Sequence, residues 1–331
     1  MSNLSVPMLA TEVDRKMQAH FLGLSWLAYL DRDRAIEVGH EFGYERVEFI
    51  EGAKNDILSL SRIQAVLDGD RAIIASSAAI WLEDAEKVVL SFRGTELNRD
   101  ANIDIATDIL AKHEEFLAPS RTRDAPWDLP LFRNPYSEGI RHGSVHLGFY
   151  GGLVVLWDQI AARIKAMPHP KPLYLTGHSL GGAIATIAFS RFMLEQTLEG
   201  PTHFSLKGLV TFGSPRVGNG DFFEQFEARR EQLQDAGQRV FVSRVVNNQD
   251  PVTVLPTALA DFWHVGELTY FDGDVPFEGW FADFKAPHLG GRVLFREQTR
   301  AFEYHQSADY SRRMFRALGN DISACLANPP R

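Results

Sequence analysis

A serine between two glycines is the first feature of the sequence that points to chemistry. Residues 177–181 read Gly-His-Ser-Leu-Gly, a G-x-S-x-G pattern centred on Ser179. The pattern follows a strand-like run, 173–176, and precedes an Ala-rich helix predicted from Leu180 to Leu198. A sharp strand-to-helix turn of this kind presents the serine hydroxyl above the sheet edge, and flanking glycines let the backbone bend tightly. This context predicts that Ser179 is a nucleophile.

A nucleophilic serine needs a base, and the base needs an acid that orients it. At this kind of turn, the acid and then the histidine follow the serine along the chain. Asp250 lies in the loop just past the strand-like run 240–246, at the end where parallel sheets carry their functional groups, and Asp261 is the main alternative. Three histidines follow: His264, His288 and His305. His264 has the apolar neighbours of a core histidine, so the residues alone favour His305 without excluding His288.

The oxyanion that forms during acyl transfer needs two hydrogen-bond donors. The backbone N–H of Leu180 is one candidate, because it directly follows the nucleophile. The strand-like run 88–92 ends in Arg93-Gly94-Thr95, and Thr95 offers both a backbone N–H and a hydroxyl. Taken alone, this tripeptide is more typical of a surface turn.

The elements that must position these residues alternate between strand and helix patterns. Such alternation predicts an α/β fold with a mostly parallel central sheet flanked by helices. The predicted strands are 72–76, 88–92, 173–176, 206–212 and 240–246, and the predicted helices are 15–31, 149–167 and 180–198.

Residues 172–190 carry no charged side chain, which raises the question of a membrane span. The run contains Pro172, His178 and three glycines, so a continuous spanning helix fits poorly. We interpret it as a buried strand, the turn at Ser179 and a buried helix in series, and we expect no transmembrane segment.

Composition excludes several classes of function. The chain has 331 residues and a formal net charge of −9, without the clustered Lys and Arg of a nucleic-acid-binding protein. Its one cysteine, Cys325, excludes an intramolecular disulfide and a multi-cysteine metal site, and no cofactor is expected.

The N-terminal residues lack a basic start followed by an apolar core, so we expect a cytoplasmic location.

Six motifs occur in a fixed order along residues 68–310. They are 91–95 (SFRGT), 145–149 (VHLGF), 176–183 (TGHSLGGA), 213–218 (GSPRVG), 247–256 and 305–310. Together they resemble the class 3 lipases, the fungal-type triacylglycerol lipase family of α/β-hydrolases. The resemblance implies an α/β-hydrolase fold over residues 1–331 as a single domain. It also implies a role for each candidate: Ser179 as nucleophile, Asp250 as acid, His305 as base, and Thr95 with the Leu180 N–H as oxyanion hole.

Two segments depart from the pattern of that family. Residues 96–143 are expected to hold a lid, with a helix at 99–112 followed by a Pro-rich insertion. Residues 265–303 place an aromatic-rich segment between the acid and the base. Because of these two departures, the family pattern does not define the substrate preference.

The resemblance implies a serine carboxylic-ester hydrolase. Its first implication is a lipase that hydrolyses acylglycerols through an acyl-enzyme. The alternative is an esterase or phospholipase acting on soluble or polar-headed esters. A non-catalytic binding protein with a hydrolase fold fits less well, because serine, acid and histidine all occur in order. The expected partners are a lipid or ester substrate and a transient lipid interface.

Overall fold

The computed structural model describes residues 12–52, 77–94, 143–198, 202–247, 250–256, 261–272 and 275–277, together with His305 and Tyr310. The α-helices of these residues are α1 (Glu12–Leu27), α2 (Arg32–Glu41), α3 (Leu147–Lys165), α4 (Leu180–Leu198) and α5 (Gly220–Asp235). The strands are β1 (Arg46–Glu51), β2 (Ala78–Glu83), β3 (Val88–Phe92), β4 (Lys171–His178), β5 (Phe204–Phe212), β6 (Phe241–Asn247), β7 (Glu267–Asp272) and β8 (Val275–Phe277).

The eight strands form one sheet in which their spatial order is their order along the chain. Strands β3 to β7 pair in parallel, whereas β1–β2, β2–β3 and β7–β8 are antiparallel. The prediction of an α/β fold with a mostly parallel sheet is therefore confirmed. Because the central strands are parallel, the carboxyl ends of β3, β4, β5 and β6 meet at one edge of the sheet, where functional groups of open α/β sheets collect.

Apolar side chains cover both faces of the sheet. On β3, Val88, Leu90 and Phe92 belong to the core shared with α3, α4 and α5, whereas Val89 belongs to the core shared with α1 and α2. This alternation explains why the strand reads as a continuous apolar run rather than as an alternating one. The Ser91 hydroxyl faces α1 and donates to the Leu24 carbonyl oxygen at 2.8 Å, which ties the helix to the strand.

The uncharged run 172–190 forms most of β4, the turn at Ser179 and the first half of α4. Every residue from 180 to 190 is buried, which explains why charge is absent there. Within the described ranges, the helices are too short or too polar for one of them to cross a membrane.

Several predicted features lie outside the described residues. They are the strand 72–76, Thr95, His288, Cys325, and the lid and insertion at 96–143 apart from Gly143. The aromatic segment 265–303 is described only for 265–272 and 275–277. The lid, and the assignment of residues 1–331 to one domain, stay predictions.

Buried His20 should make the α1 side of the sheet sensitive to acid. Its Nε2 lies 3.0 Å from the Tyr44 hydroxyl. Burial, aided by the charge on Lys87, lowers the pKa of His20 from 6.5 to about 4. The unfolded chain binds this proton below pH 6.5, whereas the folded chain does not bind it until about pH 4. Between these values falling pH favours unfolding, at a total cost of about 3 kcal/mol.

The variant His20→Gln isolates this contribution, because it keeps a polar side chain that does not titrate. Between pH 7 and pH 4, we expect the free energy of unfolding to fall by about 3 kcal/mol more in the wild type than in His20→Gln. Urea unfolding at each pH measures the difference. The same pH dependence in both proteins would contradict this prediction.

Candidate active site

Ser179 lies at the tight turn between β4 and α4. Its backbone φ is 56°, in the left-handed region that a non-glycine residue adopts at a cost of about 1–2 kcal/mol. The turn is held from both sides. The Ser179 N–H donates to the Phe212 carbonyl oxygen at 2.9 Å, and the Ser179 carbonyl oxygen accepts from the Gly182 N–H at 2.9 Å. These bonds fix the turn against the end of β5.

The glycines of the pentad are required by close backbone contacts. A Cβ on Gly177 would lie 2.4 Å from the carbonyl carbon and oxygen of Gly181. A Cβ on Gly181 would lie 2.1 Å from the carbonyl oxygen of Phe92, at the end of β3. The turn therefore packs on itself and on the neighbouring strand, and any side chain at either position would force the two apart.

His305 lies between Ser179 and Asp250. Its Nε2 is 2.8 Å from the Ser179 Oγ, and its Nδ1 is 2.9 Å from each carboxylate oxygen of Asp250. A carboxylate can only accept, so the proton of neutral His305 sits on Nδ1, and Nε2 is left to accept the serine hydroxyl proton. His305 is 1% and Asp250 2% exposed, so these bonds form away from water.

A short 3-10 helix, Pro251–Val254, holds the acid in place. Asp250 caps this helix, and its Oδ1 accepts the Val252 N–H at 3.0 Å. The Thr253 hydroxyl donates to the Asp250 carbonyl oxygen at 2.8 Å. Arg216 donates to the carbonyl oxygens of Val254 and Pro256 and thereby braces the end of the loop. Residues 250–256 thus form a rigid support for one carboxylate.

Tyr310 supplies a further donor to the acid, which the sequence did not reveal. Its hydroxyl donates to the Asp250 Oδ2 at 2.6 Å and accepts from the Asn247 N–H at 3.1 Å. Burial and the Asp250 charge raise the pKa of Tyr310 well above its ordinary value, so the phenol stays protonated and remains a donor. With Val252 on one oxygen and Tyr310 on the other, the carboxylate has a fixed orientation toward His305.

The two residues predicted to bind the oxyanion are only partly within the described residues. Leu180 is the first residue of α4, where backbone N–H groups point out of the helix end. Thr95 lies outside the described residues, but Gly94 directly precedes it. A Cβ on Gly94 would lie 2.6 Å from the His178 carbonyl oxygen, so the segment that leads to Thr95 runs against the turn.

The other acid and histidine considered from the sequence, Asp261 and His264, have different hydrogen-bond partners. Asp261 is exposed, and its Oδ1 accepts from the Trp263 indole at 2.7 Å. The Nε2 of buried His264 donates to the Thr253 carbonyl oxygen at 2.7 Å. Burial, followed by the charges of Arg244 and Arg216, lowers the pKa of His264 well below 6.5, as expected of a core histidine.

Among the described residues, no group of three or more His, Cys, Asp or Glu side chains is arranged to hold a metal ion.

Comparison with known proteins identifies a family. The lipase (class 3) family model matches residues 89–260, slightly more than half of the chain. The secreted mono- and diacylglycerol lipase 1 of Fusarium solani is 35% identical over 133 residues, which are 38% of this chain and 35% of the relative. Lipase A of Sodiomyces alcalophilus is 30% identical over 203 residues, 58% of this chain and 45% of that relative. The chain thus spans less than half the length of these relatives.

Solved structures show the same fold. The nonglycosylated LIP2 lipase of Yarrowia lipolytica matches with a TM-score of 0.55 and 17% identity, over 88% of this chain and 91% of that chain. The Rhizomucor miehei lipase propeptide complex matches with a TM-score of 0.52 and 21% identity, over 83% of this chain and 74% of that chain.

The expectation of a cytoplasmic location is wrong. Relatives from Fusarium solani, Penicillium cyclopium and Gibberella zeae are all named as secreted lipases. The expectation rested on the composition of the N-terminal residues, which does not fix the compartment in which a protein works.

The family model covers most of β3, the turn at Ser179 and the loop that carries Asp250. The motifs that suggested the family in the sequence fall largely within the same residues. The chain belongs to the class 3 lipase family.

Proposed function

We propose that the chain is a serine ester hydrolase that acts on acylglycerols through an acyl-enzyme intermediate. The observation that carries this proposal is the unbroken hydrogen-bond path from the Ser179 Oγ through His305 to Asp250. Nucleophile, base and orienting acid in this arrangement are the components of acyl-transfer catalysis. The substrate class is supported by relatives that are named mono- and diacylglycerol lipases.

In the first half of the reaction, the Ser179 Oγ attacks the ester carbonyl carbon while the His305 Nε2 takes the hydroxyl proton. The oxyanion of the tetrahedral intermediate receives hydrogen bonds from the Leu180 N–H and from Thr95. When the intermediate collapses, His305 gives its proton to the leaving alcohol, and the acyl group stays on Ser179 as an ester.

In the second half, water attacks the acyl-enzyme. His305 takes a proton from the water, the carboxylic acid leaves, and the same proton returns to the Ser179 Oγ. Asp250 holds the imidazole in the Nδ1–H tautomer and stabilises the imidazolium in both halves. The donors on Asp250 keep its carboxylate in place throughout.

A phospholipase is the second candidate. The phospholipase A(1) DAD1 of Arabidopsis thaliana is 36% identical to this chain over 100 residues, which are 19% of that protein. Phospholipids carry the same acyl ester beside a charged headgroup, so the same Ser179 chemistry would serve both substrates.

A fluorophosphonate probe tests the proposed chemistry directly, because it reacts with an activated serine. We expect one adduct, located on Ser179 by mass spectrometry of the digested protein. Titration of released fatty acid should then show faster hydrolysis of emulsified diacylglycerol than of phosphatidylcholine vesicles. Faster hydrolysis of phosphatidylcholine would instead favour the phospholipase, and failure of the probe to react would overturn both.

The variant Ser190→Ala is a matched control for labelling. Ser190 is also buried on α4, but it lies about 15 Å further along the helix axis, given the usual rise per residue. Its loss should leave the rate and the site of labelling unchanged.

A further inference from the structure

A buried histidine that the proposed mechanism does not use lies against the base. The ring of His178 is stacked on that of His305, with 4.8 Å between the ring centroids and 30° between the planes. The His178 Nε2 is 2.8 Å from the backbone carbonyl oxygen of His305. Its Nδ1 is 2.9 Å from the Tyr29 hydroxyl. His178 therefore joins an N-terminal residue to the segment that carries the base.

The partners of His178 fix the position of its proton. The His305 carbonyl oxygen can only accept, so the His178 Nε2 must be the protonated nitrogen. The Nδ1 then carries a lone pair, which accepts a hydrogen bond from the Tyr29 hydroxyl. Burial, together with the charge that His305 acquires, lowers the pKa of His178 well below 6.5, so the ring stays neutral beside the base.

Tyr29 lies two residues beyond the end of α1, and its hydroxyl lies where Gly94 packs against the turn at Ser179. A Cβ on Gly94 would lie 2.1 Å from the Tyr29 oxygen. Helix α1 itself is tied to the sheet, because Ser91 bonds to Leu24 and the Gln18 amide donates to the Ser243 hydroxyl at 3.0 Å. The Tyr29 hydroxyl is thus held from the helix side.

We propose that Tyr29 and His178 are positioning residues for the base. Tyr29 anchors the Nδ1 of His178, and the Nε2–H on the other side of the ring holds the backbone of His305 so that its imidazole faces Ser179. The inference rests on the proposed ester hydrolysis at Ser179, because a fixed His305 matters only if it moves protons there. A misplaced general base slows the chemical step without weakening substrate binding.

The variant Tyr29→Phe removes one hydroxyl and keeps the ring. We expect kcat on a soluble ester to fall about tenfold, as for the loss of one oriented hydrogen bond, with KM within about twofold of the wild type. A wild-type kcat, or a loss that appears in KM alone, would overturn the proposal.

Tyr44→Phe is the matched control. Tyr44 also bonds a buried histidine on the α1 side of the sheet, His20, at 3.0 Å. Its ring lies 5.7 Å from the ammonium of Lys87, at the end of β3 opposite to Gly94. This variant should keep the wild-type kcat, and an equal loss in both variants would show a general effect of hydroxyl removal and overturn the proposal.

Two substitutions of His178 separate its two bonds. The amide of glutamine reaches the position of Nε2 and can donate to the His305 carbonyl oxygen, whereas that of asparagine reaches only the position of Nδ1. We expect His178→Gln to lose about tenfold in kcat, as Tyr29→Phe does, because both keep the donor to His305 without the Tyr29 bond, and His178→Asn to lose about 100-fold, because it lacks that donor. Equal kcat values for two folded variants would overturn the proposal.

Nuclear magnetic resonance tests these bonds independently of activity. In protein with ¹⁵N-labelled histidine, His178 should show a protonated Nε2 and a hydrogen-bonded, unprotonated Nδ1, and Tyr29→Phe should move the Nδ1 resonance toward that of a free lone pair while Nε2 keeps its proton. An unchanged Nδ1 resonance in Tyr29→Phe would overturn the role of Tyr29. If the fluorophosphonate probe does not react while the Nδ1 resonance shifts as expected, the proposed hydrolysis fails, and the Tyr29–His178 coupling stands.

Discussion

Replacing Ser179 by alanine should reduce kcat for ester hydrolysis by about 10⁶-fold, which is the scale of a lost nucleophile in a serine hydrolase. The Ser179 Oγ is the atom that the His305 Nε2 contacts at 2.8 Å, and alanine removes this hydroxyl. Release of fatty acid from emulsified diacylglycerol measures the loss. A variant with wild-type activity would contradict the proposed mechanism.

A companion variant, Ser179→Gly, tests the backbone at the same position. With φ at 56°, both serine and alanine are strained at this turn, whereas glycine is not. We expect both variants to be folded and inactive, and Ser179→Gly to be more stable than Ser179→Ala by about 1 kcal/mol in urea unfolding. A less stable glycine variant would mean that the turn does not store strain.

Replacing Asp250 by asparagine should reduce kcat by about 10⁴-fold, the scale seen when the orienting acid of a triad loses its charge. The Asp250 Oδ1 accepts the Val252 N–H, so the asparagine amide oxygen takes that side. Its NH₂ group then faces the His305 Nδ1 and forces the imidazole proton onto Nε2. An imidazole protonated at Nε2 cannot take the proton of Ser179.

Asp261→Asn is the control for this change, because it makes the same chemical substitution at the rival acid. Asp261 is exposed and bonds to Trp263 rather than to a histidine. Its variant should keep wild-type kcat, and the rate of fluorophosphonate labelling should follow kcat in both proteins. Comparable losses in the two variants would contradict the assignment of Asp250.

The parts of the fold that were predicted best are two long or strongly apolar runs. Strand β3 and helix α4 have the predicted bounds, because continuous apolar runs admit few other structures. Helix α2 was not predicted, since its sequence is largely charged and it buries only Ala35 and Gly39. Strand β1 was missed for a related reason: its ends are exposed and charged residues interrupt its apolar ones.

The candidate site divides in the same way. Chain order and local context suggested Ser179, Asp250 and His305, and the structure brings these three together. Tyr29 could not be predicted, because it contacts His178 across 149 positions of sequence and no local pattern marks it. Tyr310 lies within the last motif, but its hydrogen bond to Asp250 depends on how that segment folds back onto β6.

The position of the base in the chain has a consequence during synthesis. Ribosomes release the nucleophile, its turn and the central parallel strands well before residue 305 appears. On the proposed mechanism, a nascent chain can therefore assemble its sheet with Ser179 in place while it still lacks the group that activates the serine. Hydrolytic capacity then arises in a single late event, when the segment with His305 and Tyr310 docks onto Asp250.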